Sequence, residues 1–167
     1  MTDDTAWLQD LIDRSHARAG EHTRSILRPE RRLTAAQVIS YFTGTVRHLA
    51  LATVSPHGEP RVAPVDGLMF RARLLFSTDG RATRIRHLRA NPAVSATHLV
   101  GDDLAVIAHG TAVLHEPGDD RWDELMTLYR EVYDGGTPAD LTDRPVCGLI
   151  EPHTFLTYSP SGQLPNS

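Results

Sequence analysis

The sequence predicts an α+β domain that is mainly β, with antiparallel strands closed into a small barrel and helices at its periphery. Three observations carry this. Five or six short runs have strand character, and most are joined by turns rich in Gly, Pro and Asp. The helical patterns between them do not alternate as βαβ units require, which leaves hairpins and antiparallel pairing. At 167 residues the chain fits one domain with a proper core, and no internal repeat divides it.

Residues 3–20 place Trp7, Leu8, Leu11 and Ile12 at helical spacing. After Gly20 a polar, arginine-bearing linker runs to Arg32 and is interrupted by Pro29. Residues 1–33 thus read as a helical extension and linker, residues 34–158 as the barrel domain, and residues 159–167, rich in Pro, Gly and Ser, as a mobile tail. The extension has three possible placements: covering the barrel, widening a dimer interface, or docking elsewhere. Thr34 caps a helix over 35–42 with Val38, Ile39 and Phe42 inward, closed by Gly44. Strand character then covers 47–54, a turn falls at 55–60, and a second strand covers 61–65 and continues over 67–70. Pro64 cannot donate to a ladder, so its backbone edge faces solvent or a ligand. Residues 73–76 form the next strand. Beyond Pro92, strands follow at 93–99 and 104–115. Gly110 in the second marks close approach of another backbone or a ligand. A helix over 119–133, ended by Gly135-Gly136, precedes a last strand over 146–150 and 154–158.

Composition excludes several chemistries. The net charge of -4 argues against a nucleic-acid binder, the weakest of three functional classes considered. All 17 basic residues are arginine, so a Walker-type loop and a pyridoxal Schiff base, which both need lysine, are ruled out. The lone Cys147 precludes an internal disulfide and suits a reducing cytoplasm. No apolar run approaches the ~20 residues of a membrane span, and the acidic start is unlike a secretory signal; a cytoplasmic location is expected. The nine histidines show no metal-ligand spacing, and no metal is expected.

The richest stretch begins at Phe76-Ser77-Thr78, turns at Asp79-Gly80, and continues as a helix to Asn91-Pro92. Arg81 and Arg84 fall near the positive end of that helix, where cations are disfavoured unless something negative is present. Free N–H groups, the hydroxyls of Ser77, Thr78 and Thr83, and two guanidinium groups converge there as equipment for a phosphate. The plainer alternative is a solvated helix face whose charge Asp79 offsets.

The run Leu49-Ala50-Leu51-Ala52-Thr53-Val54-Ser55-Pro56-His57-Gly58-Glu59-Pro60-Arg61-Val62-Ala63-Pro64-Val65 resembles the opening of the pyridoxamine 5'-phosphate oxidase-like split β-barrels. Phe76-Ser77-Thr78, the arginine-rich helix ending at Pro92, and Gly110-Thr111-Ala112 follow in that superfamily's order, so the likeness spans about residues 33–158. It implies an antiparallel split β-barrel that binds FMN or the related deazaflavin coenzyme, with the choice between them open. It further implies an oxidoreductase moving hydride to or from a small organic substrate. The cofactor would lie across a homodimer interface, reached in part by the strand over 104–114.

Carried over by residue, the resemblance sets the backbone of Arg61, Val62, Ala63, Pro64 and Val65 along the ring edge. Phe76 ends the strand that carries Ser77 and Thr78 to the ribityl chain or phosphate. Arg84 takes the phosphate, with Arg81 and Thr83 as helpers. Two departures matter. Ala82 replaces the first residue of the usual Ser/Arg-Arg-Lys triplet, removing one phosphate contact. No arginine or lysine follows Arg144, whereas authentic pyridoxamine phosphate oxidases bind substrate phosphate with a C-terminal arginine motif. The resemblance therefore implies something other than a vitamin B6 oxidase. Residues 122–142 and the ending Phe155-Leu156-Thr157-Tyr158 look like smaller actinobacterial branches, several of which use the deazaflavin coenzyme.

No catalytic residue is identified, because the cofactor carries the hydride chemistry in such enzymes. A non-catalytic flavin- or haem-binding barrel is the alternative, with His109 or His153 as axial-ligand candidates. His109 is otherwise a contact to ring or substrate, or a hydrogen-bonded barrel histidine. His48 and His98 read as structural, His57 as a turn residue, Cys147 as a small buried apolar residue, and Tyr158 as closing the barrel.

Overall fold

A computed structural model describes residues 2–140 and 142–165. Six antiparallel strands form a closed barrel in the order β1-β2-β3-β6-β5-β4. They are β1 (Arg47–Val54), β2 (Pro60–Phe70), β3 (Arg73–Asp79), β4 (Ala93–Val100), β5 (Leu104–His115) and β6 (Pro145–Tyr158). Five α-helices surround it: α1 (Thr2–Arg18), α2 (Glu21–Ile26), α3 (Ala35–Phe42), α4 (Thr83–Ala90) and α5 (Trp122–Val132). The runs expected on either side of Asp66 and of Pro152 are each one continuous strand. The expected linker contains the short α2. Among the described residues no helix is long and apolar enough to cross a membrane.

Alternation along each strand divides the apolar residues between two cores. Leu49, Leu51, Val65, Leu74, Phe76, Val106, Ala108, Ile150 and Phe155 meet inside the barrel. Their neighbours on the outer face, Leu68, Phe70, Leu75, Cys147 and Leu149, pack under Leu125, Met126 and Tyr129 of α5. β2 and β3 are joined by Arg71 and Ala72, both at positive φ (46° and 60°). Neither is a residue type that announces such a turn, and the Arg71 guanidinium ties it to Glu124 of α5.

Two glycines answer to close approach. A Cβ on Gly110 would lie 2.2 Å from the Glu151 carbonyl oxygen, beside the register shift between His109 and Gly110. Another backbone, not a ligand, is what Gly110 accommodates. A Cβ on Gly148 would lie 2.1 Å from Cζ of Phe76.

Of the three placements open to the N-terminal helix, α1 covers the barrel. Leu8, Leu11 and Ile12 join the interior core. Ser15 Oγ accepts the Phe155 N–H at 2.9 Å, and His16 Nε2 accepts the Thr157 N–H at 3.3 Å. Gln9 Oε1 accepts the Ala35 N–H at 2.9 Å, linking α1 to α3. Thr34 and Gln37 form the reciprocal capping box that starts α3. The segment after β6 makes contacts with the rest of the domain. Ser159 N–H donates to Arg31 O at 2.8 Å, Gln37 Nε2 donates to Gly162 O at 3.0 Å, and Leu164 packs on the core. Residues 166–167 of that expected tail lie outside the described residues. Backbone hydrogen bonds, which side-chain composition does not report, hold the rest.

His16 of α1 is buried against β6, where its Nε2 accepts the Thr157 N–H, and among the described residues its Nδ1 has no partner. Burial, reinforced by Arg32 and opposed by Asp13, lowers its pKa from 6.5 to about 4. The unfolded chain therefore binds a proton that the folded chain refuses between those values. The His16 contribution to stability is complete above pH 6.5, declines as pH falls toward 4, and is flat below. Urea unfolding from pH 7.5 to 4 should show a steeper loss for the native chain than for His16→Gln, which can still accept the Thr157 N–H. Equal losses would mean His16 does not sit neutral in the fold. Burial likewise pushes the Cys147 thiol up to about 12. A thiol reagent at pH 8 should leave Cys147 unmodified until denaturant is added; prompt labelling of the folded chain would contradict its burial.

Candidate functional site

Where β3 runs into α4, period-two alternation sorts the expected phosphate ligands. Phe76 points into the core, Ser77 turns out toward α5, and Thr78 returns to the side from which α4 starts. There Arg84 Nη1 donates to Thr78 Oγ1 at 2.7 Å. Arg84 is half-buried, and among the described residues it has no carboxylate partner. Burial alone lowers its pKa, the signature of a cation whose lost hydration nothing negative replaces. Ala82 offers no side-chain cap and the first turn of α4 holds no acid, so its leading N–H groups add to the positive potential.

Arg84 lines a cleft of about 280 Å³ together with Ala82, Thr83 and His87 of α4 and its approach. Leu51 and Thr53 of β1, and Arg61, Val62 and Ala63 of β2, form the other wall. The β2–β3 ladder ends at Gly67, so residues 60–66 pair only with β1 among the described residues. Pro64 lies in that open edge and is exposed, and Val62 is 68% exposed beside it.

Of the eleven residues expected at a cofactor site, Arg61, Val62, Ala63, Thr83 and Arg84 line the cleft and Thr78 braces Arg84. The rest differ. Val65 and Phe76 are core residues, and Pro64 contributes only its exposed edge. Ser77 lines a separate cleft of about 210 Å³ with Asp66, Tyr129 and Tyr133. Arg81 is turned outward, bonded to both Asp79 oxygens (3.0 and 2.7 Å) and 3.0 Å from Asp143. Arg81 and Thr142 hold the Asp79 carboxyl well below the usual range. Its charge is thus already matched, unlike that of Arg84. Arg61 pairs with Glu59 at 2.5 Å, but both are exposed and that bond is weak.

His87 was not anticipated. It is buried, its Nδ1 lies 3.1 Å from Thr53 Oγ1, and it lines the same cleft. The available signal was its spacing of three from Arg84, which sets both on one helix face. His109 does not reach this cleft. It hydrogen-bonds Ser95 (2.7 Å) and lines, with His153, a third cleft between α1 and the β5–β6 wall. His98 is fixed between Tyr41 and the His48 carbonyl. Among the described residues no cluster of His, Cys, Asp or Glu could hold a metal.

The barrel is shared with solved structures. A conserved hypothetical protein from Mycobacterium tuberculosis superposes with a TM-score of 0.65 at 17% identity, covering 84% of this chain and 94% of its own. HutZ, the haem storage protein of Vibrio cholerae, gives 0.55 at 21% identity, covering 68% and 87%. A pyridoxamine 5'-phosphate oxidase-related, FMN-binding protein from Nostoc punctiforme gives 0.50 at 17% identity, covering 64% and 71%. At these identities the likeness is one of fold. No curated protein matches. Residues 36–149, more than half the chain, match the pyridoxamine 5'-phosphate oxidase family as a whole, and the chain belongs to that family.

Proposed function

We propose that the α4 cleft holds FMN or the deazaflavin coenzyme, and that the protein is an oxidoreductase moving hydride to or from a small organic substrate. Arg84 is the observation that carries this reading. A half-buried guanidinium with no carboxylate partner among the described residues, beside uncapped helix N–H groups and two threonine hydroxyls, is a costly arrangement unless an anion completes it. A phosphate monoester fits that chemistry, and both coenzymes carry a phosphate. The FMN-binding character of the Nostoc protein supports the flavin over other phosphate esters.

When bound, the isoalloxazine or deazaflavin ring supplies the hydride chemistry. The chain's own residues bind and orient. Arg84, Thr83 and the first N–H groups of α4 hold the phosphate, and Thr78 fixes the Arg84 fork. The open edge of β2, interrupted at Pro64, offers backbone groups to the ring rim. His87, seated on Thr53, closes the floor. At about 280 Å³ the cleft is at or below the ~300–1,000 Å³ of pockets that enclose a whole ligand. A second copy of the chain would supply the other wall, with exposed Val62 beside the seam. The absence of Arg or Lys after Arg144 speaks against a vitamin B6 substrate phosphate.

Fluorescence titration of the purified chain with each coenzyme should give micromolar binding of one of them. Arg84→Ala should weaken it about tenfold or more (~1.4 kcal/mol), while Arg81→Ala should change it less than about threefold, since that charge is matched by acids. No binding of either, or equal binding by Arg84→Ala, would overturn the reading. Light scattering should give twice the 18.4 kDa chain mass in the bound form; a bound monomer would remove the proposed second wall.

A further inference from the structure

On the barrel wall opposite β1 and β2, a cleft of about 250 Å³ separates α1 and α2 from β5 and β6. Its rim carries Arg14 and Arg18 on one side and His109 and His153 on the other, and among the described residues no acidic residue lines it. Arg18 has no carboxylate partner among the described residues. Arg14 meets Asp10 at 3.0 Å, but that pair is exposed and worth little. The Ala19 carbonyl at the rim is taken by Arg24, which covers the negative end of α1 with a third guanidinium. Leu11, Ala19 and Leu156 form an apolar floor, and the hydroxyls of Ser15, Thr23 and Thr154 complete the lining.

The walls are held before any ligand arrives. Ser15 bonds both Leu11 O (2.7 Å) and the Phe155 N–H (2.9 Å), which fixes α1 against β6. His109 Nδ1 meets Ser95 Oγ at 2.7 Å, and His153 Nδ1 meets Thr154 Oγ1 at 3.1 Å. A hydroxyl can donate or accept. An oxyanion at His109 Nε2 therefore selects the tautomer with hydrogen on Nε2, and Ser95 turns to donate to Nδ1.

We propose that this cleft is a second ligand site, for a small oxyanion carrying at least two negative charges on a short carbon skeleton. Donors on two facing walls require a ligand that is charged at both ends or tetrahedral, and the apolar floor takes the carbon between. A dicarboxylate and a phosphate ester share that chemistry. The site lies across the barrel from Arg84 and does not depend on flavin binding.

The test is a titration of the isotope-labelled full chain with malonate and, separately, inorganic phosphate, at constant ionic strength, read on histidine ring NMR signals. For at least one probe, His109 and His153 signals should shift together and saturate with Kd at or below ~1 mM. Arg18→Gln should weaken that binding at least about fivefold, and Arg84→Gln should leave it unchanged. Saturation by malonate alone identifies a carboxylate ligand, by phosphate alone a phosphate ester, and by both the shared chemistry. Shifts no larger than those of chloride, or equal binding by Arg18→Gln, would overturn the proposal. Because Arg18 is an exposed residue at a helix end, its replacement keeps the fold. Loss of binding in Arg84→Gln but not in Arg18→Gln would assign the anion to the flavin cleft instead.

Discussion

Gly148 leaves room for the Phe76 ring to lie across β6, and the barrel's geometry follows from that contact. A side chain at 148 would sit 2.1 Å from the ring and push β3 off its partner. With Phe76 inside, alternation leaves Leu75 to α5 and aims Thr78 and Ser77 to opposite sides. β6 pairs with β3 at one end and β5 along its length, and it receives α1 through Ser15 and His16. One strand therefore orients Ser77 and Thr78 on one side and the N-terminal helix on the other.

The two arginines three residues apart show how local charge is decided. Arg81 precedes α4, in the turn, where Asp79 and Asp143 are within reach, and it is fully matched. Arg84 is on the first turn of the helix, carried inward against Thr78, where no carboxylate among the described residues pairs with it. A difference of one helical turn separates a surface ion pair from a half-buried cation with no carboxylate partner among the described residues.

The two basic clefts occupy opposite walls because the barrel is closed. β1 and β2 meet α4 on one side, and β5 and β6 meet α1 on the other. Each uses arginine where another protein would use lysine, a consequence of a chain that contains none. Guanidinium forks suit phosphate and carboxylate planes better than diffuse negative charge, which is the chemistry proposed for both clefts.

By itself the sequence determined the antiparallel barrel, four of the five α-helices seen among the described residues, the Thr34 cap, the closeness of a neighbour at Gly110, and the basic start of the helix after Gly80. These are legible because they rest on local terms: periodicity, capping, turn residues and charge at a helix start. Tertiary structure decided the rest. Ser77 and Phe76 lie outside the Arg84 cleft because strand register, not motif order, sets which way a side chain points. Arg81 meets Asp143, a partner distant in sequence, in addition to its neighbour Asp79. His87 enters only once α4 is laid against Thr53, and the cleft holding Arg14, Arg18, His109 and His153 exists only when α1 docks on β6. Long-range packing chooses among charges and hydroxyls that are equivalent in one dimension, because burial and partner distance are properties of the folded chain.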